Sequence, residues 1–358
     1  MPVQTDPTAA GDGDLERLNR EERAAIADAS PNPKAIALVL VPALVLTLAF
    51  AASYVGALHE PKPHDLPLAV IGPPSAAAKL DALPGGPLDA RAVASRGQAL
   101  AQIDDRKVYG AFDPAANRLY VASAANRATA VVLETTIDRL AAAQSRPAAR
   151  VTDVKPLPSS DVNGTSAFYL VIAWVFGGYI GATLMSLVGT PRSRSRALAA
   201  ARIGALAAYA VIAAVLSVVL LRMTWDLFAG HVLSMVAIGA LTIFASGVAT
   251  SGIQAAAGPV GTGIVILLFV IAGNAASGGP FARPLLPGFW RAIGGLLPPG
   301  ASVDLARAAL YFDGARIAGP LLVLIGWGLA GGALALAFGG RVVGPVEAEA
   351  EAAAGAAV

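Results

Sequence analysis

The apolar residues of this chain gather into six runs, and their uneven spacing constrains the fold more than any other feature. Residues 35–57 form the first run, a mostly polar stretch fills 58–165, and five runs crowd the rest at 166–189, 203–221, 232–251, 261–276 and 318–339. Each is close to the ~20 residues that cross a hydrocarbon core as a helix. Hydrophobic residues make up 56% and charged residues 14%, so no stretch after residue 165 is polar enough for a second water-facing domain of any size. The expected fold is an α-helical membrane protein of six transmembrane helices, with a small extracytoplasmic α/β domain inserted between the first and second. Residues 1–34 and 341–358 are then cytoplasmic extensions.

Composition removes several functions. Without cysteine there is no disulfide, thiolate metal site or cysteine nucleophile. A net charge of +2 offers no basic face for phosphates of nucleic acid. A cleaved signal peptide fits poorly at 35–57, because the run exceeds a normal apolar core and a long segment precedes it. A retained anchor is the better reading.

Orientation rests on the loop 190–202, where Arg192, Arg194, Arg196 and Arg202 crowd between two spans. Short basic loops stay cytoplasmic. Six spans then put both termini in the cytoplasm of a bacterial plasma membrane and 58–165 outside, with Arg17, Arg20, Arg23 and Lys34 in agreement. Arg222, Arg283, Arg291, Arg307 and Arg316 fall outside and disagree.

The polar stretch alternates strand and helix signals. Strands are expected at Leu66–Ile71, Leu88–Ala94, Val108–Phe112, Leu119–Ala122 and Val151–Val154, and helices at Ser75–Leu83, Gly97–Lys107 and Asn126–Ala143. His59, Glu60, His64 and Asp65 invite a metal, but Pro61 and Pro63 keep them extended, so a solvated linker is expected. Asp104-Asp105 beside Arg106-Lys107 reads as a solvated helix end. No catalytic constellation or metal site emerges.

As drawn, the spans hold no Asp, Glu, Lys or Arg, and such groups are costly at depth and kept there for function. This counts against a proton-coupled carrier. Ser234, Thr242, Ser246, Thr250, Ser251, Gln254 and Asn274 are the polar content; packing between helices explains them at least as well as a solute does. A solute path would run past Ser246, Thr250 and Asn274 and close at Trp290. Gly177 and Gly181, and Gly328 and Gly332, form GxxxG pairs for close helix approach. Residues 280–317, broken by Pro and Gly around Trp290 and Arg291, read as interfacial or re-entrant helices.

No Gly-Lys pair exists, so there is no phosphate-binding loop and any ATPase is a separate subunit. With its anchor, inserted domain and five further spans, the chain resembles the ABC-2 type permeases of bacterial exporters, nearest to an actinobacterial branch related to the phage-infection-protein membrane proteins. The residues carrying this are Leu66–Ile71, Asp104–Pro114, Leu119–Ser123, Phe168–Thr183, Leu286–Trp290 with Leu297–Gly300, and Tyr311–Gly314. The resemblance implies export by a homodimer, or a heterodimer with a related permease, driven by ATP on a partner ATPase. Arg192, Arg194, Arg196 and Arg202 would then form the coupling loop, and Leu15–Ala29 a cytoplasmic helix. The competing expectation is a non-transporting envelope protein whose external domain is a receptor or scaffold.

Overall fold

The computed structural model describes residues 33–188 and 193–339. Among the described residues, six helices are long and apolar enough to cross a membrane. They are α1 (Pro33–Leu58), α5 (Ser166–Val188), α6 (Arg196–Trp225), α7 (Val232–Ala257), α8 (Pro259–Ala276) and α11 (Ala318–Phe338). Such a pattern is that of a multi-pass membrane protein. The expected helix at Leu15–Ala29 and the tail after residue 340 lie outside the described residues, as does Arg192.

The described chain falls into two compact units, 33–48 and the residues from Ala49 on. The first is the opening of α1, apolar from Ala35 except for Thr47, whose hydroxyl donates to the Ala43 carbonyl at 2.9 Å. Satisfying a polar group on its own helix is what a hydrocarbon surround demands.

In the second unit, α7 is the central helix, packed by α5, α6 and α11. Glycine permits this at two crossings. A Cβ at Gly178 would collide with the Ile243 carbonyl, and one at Gly331 with the Ala249 backbone. The paired glycines of the sequence motif sit one position away. Gly177 and Gly181 face Tyr209, and Gly328 and Gly332 would meet only ordinary contacts at 3.7–4.0 Å. Helix α8 widens to π geometry over Ile266–Gly273, and Ser53 Oγ donates to the Ile271 carbonyl there at 2.9 Å.

Residues 66–153 form a five-stranded sheet of order β2-β1-β3-β4-β5. Its strands are β1 (Leu66–Ile71), β2 (Leu88–Val93), β3 (Gly110–Asp113), β4 (Arg118–Val121) and β5 (Arg150–Asp153). Only β3 and β4 pair antiparallel, as a hairpin; β1 runs parallel to β2 and β3, and β4 to β5. Parallel neighbours need crossover helices, here α2 (Pro74–Asp81) between β1 and β2 and α4 (Arg127–Ala143) between β4 and β5. Helix α3 (Arg96–Asp104) follows β2.

Strand alternation splits the core in two. Leu66, Leu68, Val70, Leu119 and Val121 meet Leu133 and Ile137 of α4 on one face, while Ala69, Ala111 and Tyr120 meet Ala99 and Ile103 of α3 on the other. Each fully buried leucine contributes about 1.5–3 kcal/mol. Residues beyond the fifth span join both faces: Phe281 and Leu285 pack on the first, Tyr311, Phe312 and Ala315 on the second. Between them run α9 (Gly288–Gly294) and α10 (Pro298–Tyr311). Residues 281–315 thus form a clasp, holding the sheet by both its faces.

Candidate functional site

Where the clasp meets the sheet, the chain encloses an open cleft of about 750 Å3. Its walls carry Arg91, Arg106, Lys107, Arg283, Arg291, Arg307 and Arg316, against one carboxylate, Asp304. Ala318, Gly319 and Pro320 complete the rim, at the start of α11. That helix begins without a side-chain cap, so the partial positive charge of its free amides adds to the cationic wall.

The charges are held by specific bonds. Asp304, on α10, accepts from Arg283 Nη2 at 2.6 Å and from Arg106 Nη2 at 3.4 Å. Arg106 Nη1 also donates to the carbonyls of Asp304 and Ala315, at 3.1 and 3.5 Å, and its guanidinium lies over the Phe312 ring. Arg291 Nη1 reaches the His64 carbonyl at 3.0 Å and Asp65 Oδ2 at 3.1 Å.

Arg307 is the unusual member. It is 7% exposed and has no carboxylate bound to it; Nη1 and Nη2 each donate at 2.6 Å, to the carbonyls of Gly278 and Gly279. Asn126 Nδ2 donates to the same Gly279 carbonyl at 3.2 Å, while Asn126 Oδ1 caps α4 by accepting from Thr129 N at 3.0 Å. The turn at Gly278, which has φ +80, is thus clamped from two elements. Burial lowers the Arg307 pKa from its ordinary value, with Asp304 opposing it. Burial is the largest single influence on Arg283 and acts in the same sense, but the charge and hydrogen bond of Asp304 together with Tyr109 outweigh it, and the pKa is raised. Burial likewise pushes the Tyr109 phenol up.

The sequence did not point to this cleft. Arg283, Arg307 and Arg316 served there only as votes on orientation, and Arg291 also as a boundary marker beside Trp290. Lys107 does form a solvated helix end, paired with Asp105 at 2.8 Å, with both side chains more than half exposed. Arg106 departs from that reading, because its side chain turns in to Asp304 and keeps 17% of its exposure. One signal was available: Asp304 and Arg307 lie three apart, on one face of an otherwise apolar stretch.

Of the expected solute path, Ser246, Thr250 and Asn274 lie in the bundle and Trp290 lies on α9 of the clasp, and none of the four lines the cleft. Ser246 and Thr250 of α7 are fully buried. Thr250 Oγ1 donates to the Ser246 carbonyl at 2.7 Å. Ser246 Oγ and Asn274 Oδ1 are the buried side-chain polar atoms without a hydrogen-bond partner among the described residues. Trp290 lies against α1, 3.9 Å from where a Cβ of Gly56 would stand. Gln254 forms a polar knot. Its Oε1 accepts from Ser186 Oγ at 2.8 Å, and its Nε2 donates to Thr183 and Thr262 at 3.1 and 3.0 Å. Hydroxyls on two other helices are thereby tied to α7.

Arg194 and Arg196 of the expected coupling loop are exposed, and Arg202 is half-buried in the next turns of α6. Ser195 caps that helix by accepting from Leu198 N at 3.1 Å. Cations in the first turns oppose the helix dipole by about 0.3–1 kcal/mol each, so the helix itself gains nothing from them. Glu60 pairs with Lys62 at 2.8 Å, and no group of three metal-ligating side chains occurs among the described residues. Comparison with protein-family models, with curated proteins and with solved structures finds no match.

Proposed function

We propose that the chain is the membrane permease subunit of an ABC-type exporter, moving an amphipathic or lipophilic compound out of the cell. The sheet with its clasp lies outside the plasma membrane, and residues 190–202 face the cytoplasm. A separate ATPase subunit, absent from this sequence, supplies the energy and docks at Arg192, Arg194, Arg196 and Arg202. Two copies, or this chain and a related permease, form the working unit.

The observation that carries this reading is the pair of orphaned polar atoms, Ser246 Oγ and Asn274 Oδ1. The rest of the buried polar content in the bundle is bonded, and leaving one such atom unpaired costs about 1–3 kcal/mol. No Asp, Glu, Lys or Arg lies between the ends of α5, α7, α8 or α11, and those of α6 stand near its ends at Arg196, Arg202 and Arg222. A mildly polar, uncharged interior suits a molecule whose larger part is apolar.

Purification of the chain from native membranes in mild detergent tests the reading. A nucleotide-binding subunit should accompany it, and replacing Arg192, Arg194 and Arg196 together by Gln should release that subunit while the chain remains in the membrane. Purification without any such subunit, and unchanged sensitivity to amphipathic compounds when the chain is deleted, would refute it.

The backbone-tight crossings at Gly178 and Gly331 favour a second reading, in which the bundle is a rigid anchor and the sheet a receptor or scaffold of the envelope. That protein would keep its function when Ser246 and Asn274 are replaced.

A further inference from the structure

The charges of the cleft do not balance. Asp89, Asp105 and Asp65 neutralise Arg91, Lys107 and Arg291, and Asp304 is shared between Arg106 and Arg283. Seven wall cations therefore face four carboxylates, a surplus of three. Arg307 is buried on carbonyls alone, and Arg316, exposed at the rim, has no partner among the described residues. Burying an uncompensated guanidinium is expensive, and a counter-anion in the cleft would remove the cost. Guanidinium forks match the paired oxygens of phosphate, and a phosphate monoester brings about 1.5–2 negative charges near neutral pH. The volume lies within the ~300–1,000 Å3 of ordinary ligand sites and exceeds what bare phosphate needs.

The rim decides the source of that phosphate. It is formed by Ala318, Gly319 and Pro320, and from there Ile317, Leu322, Ile325 and Leu329 expose apolar side chains at and along α11. A headgroup in the cleft would thus have its tail beside a membrane-spanning helix. We propose that the cleft binds the phosphate headgroup of an amphiphile whose apolar part lies along α11. This goes beyond the exporter reading and needs neither nucleotide nor a partner subunit.

The test is calorimetric titration of the purified full-length chain, in an uncharged maltoside detergent, with dioctanoyl phosphatidic acid. Saturable binding is expected, with dioctanoylglycerol inert and inorganic phosphate at least about tenfold weaker. Arg316→Gln and Arg106→Gln should each weaken phosphatidic acid about tenfold, the loss of one charge-assisted contact. Arg146→Gln, which makes the same change of net charge away from the cleft, should leave binding unaltered. Arg316 is exposed and unpaired, so its replacement keeps the test clear of folding defects. Binding indifferent to Arg316→Gln and Arg106→Gln, or inorganic phosphate binding as tightly as the lipid, would overturn the proposal. The titration can fail while an ATPase still co-purifies, and can succeed where none does.

Discussion

Asp304→Asn removes the one carboxylate on the cleft wall and leaves Arg106 and Arg283 facing Arg307 without a counter-charge. The side chains of Asp304, Arg106 and Arg283 are 16%, 17% and 29% exposed, so the pairs are half-buried and largely withdrawn from solvent. Breaking a buried pair from one side costs about 3–5 kcal/mol. Arg283 retains solvent and Arg106 retains the carbonyls of Asp304 and Ala315, so the low end, about 3 kcal/mol, is the expected loss. That is roughly a hundredfold rise in the population with the clasp released from the sheet. Hydrogen exchange in detergent reads this directly, since amides of 281–315, with those of β1 and β3, should exchange about a hundredfold faster while α5 and α7 stay protected. Arg283→Gln alone should cost less, because Asp304 keeps Arg106, and the double variant should recover about 1–2 kcal/mol of the sum. If Asp304→Asn exchanged like the parent, or the two losses simply added, the ion-pair account of the clasp would be wrong.

Tyr311 is pushed up to about 12, by burial first and the charge of Asp161 second. The unfolded phenol ionises near 10, so between pH 10 and 12 the unfolded state binds fewer protons and stability falls as pH rises. Tyr311→Phe should flatten that alkaline slope in unfolding curves and remove a tyrosinate absorbance step near pH 12; an unchanged slope refutes the assignment. Gly178→Ala and Gly331→Ala should collapse the yield of folded protein, whereas Gly204→Ala, where a Cβ meets nothing within 4 Å, should be silent in size-exclusion profiles. Equal yields for all three would mean the helices do not cross at those glycines. Ser246→Ala deletes an unpaired hydroxyl, so thermal stability should hold or rise by up to about 1 kcal/mol while export falls. Full export by a stable Ser246→Ala protein would remove Ser246 from any solute path.

The helices long enough to span were legible because a run of apolar residues near twenty has few other uses. Boundaries were less so: α6 extends at both ends past the drawn span to take in Arg196, Arg202 and Arg222, since a helix continues beyond the hydrocarbon where hydropathy no longer marks it. Strand β1 was readable from LPLAVI, a short run ended by Gly72-Pro73. Tight crossings were placed one residue off, because two glycines four apart say that a close face exists, while rotation of the helix decides which neighbouring glycine meets the partner backbone. Beyond the spacing of Asp304 and Arg307, the cleft was not legible. Its parts come from α3, the turn at Gly278, α9 and α10, and only tertiary folding brings Arg106 within reach of Asp304, 198 positions on. Locally, Arg106 is indistinguishable from its solvated neighbour Lys107.

Sidedness is the premise shared by the exporter and the coupling loop, and the chain's lack of cysteine makes it measurable. Single cysteines at Gln144, exposed after α4, and at Ala197, exposed at the start of α6, can be challenged in intact cells with a membrane-impermeant maleimide. The account predicts rapid labelling of Gln144→Cys and none of Ala197→Cys until the membrane is permeabilised. Labelling of Ala197→Cys in intact cells with Gln144→Cys protected would invert the topology, placing the cleft inside the cell and Arg192–Arg202 out of reach of any ATPase.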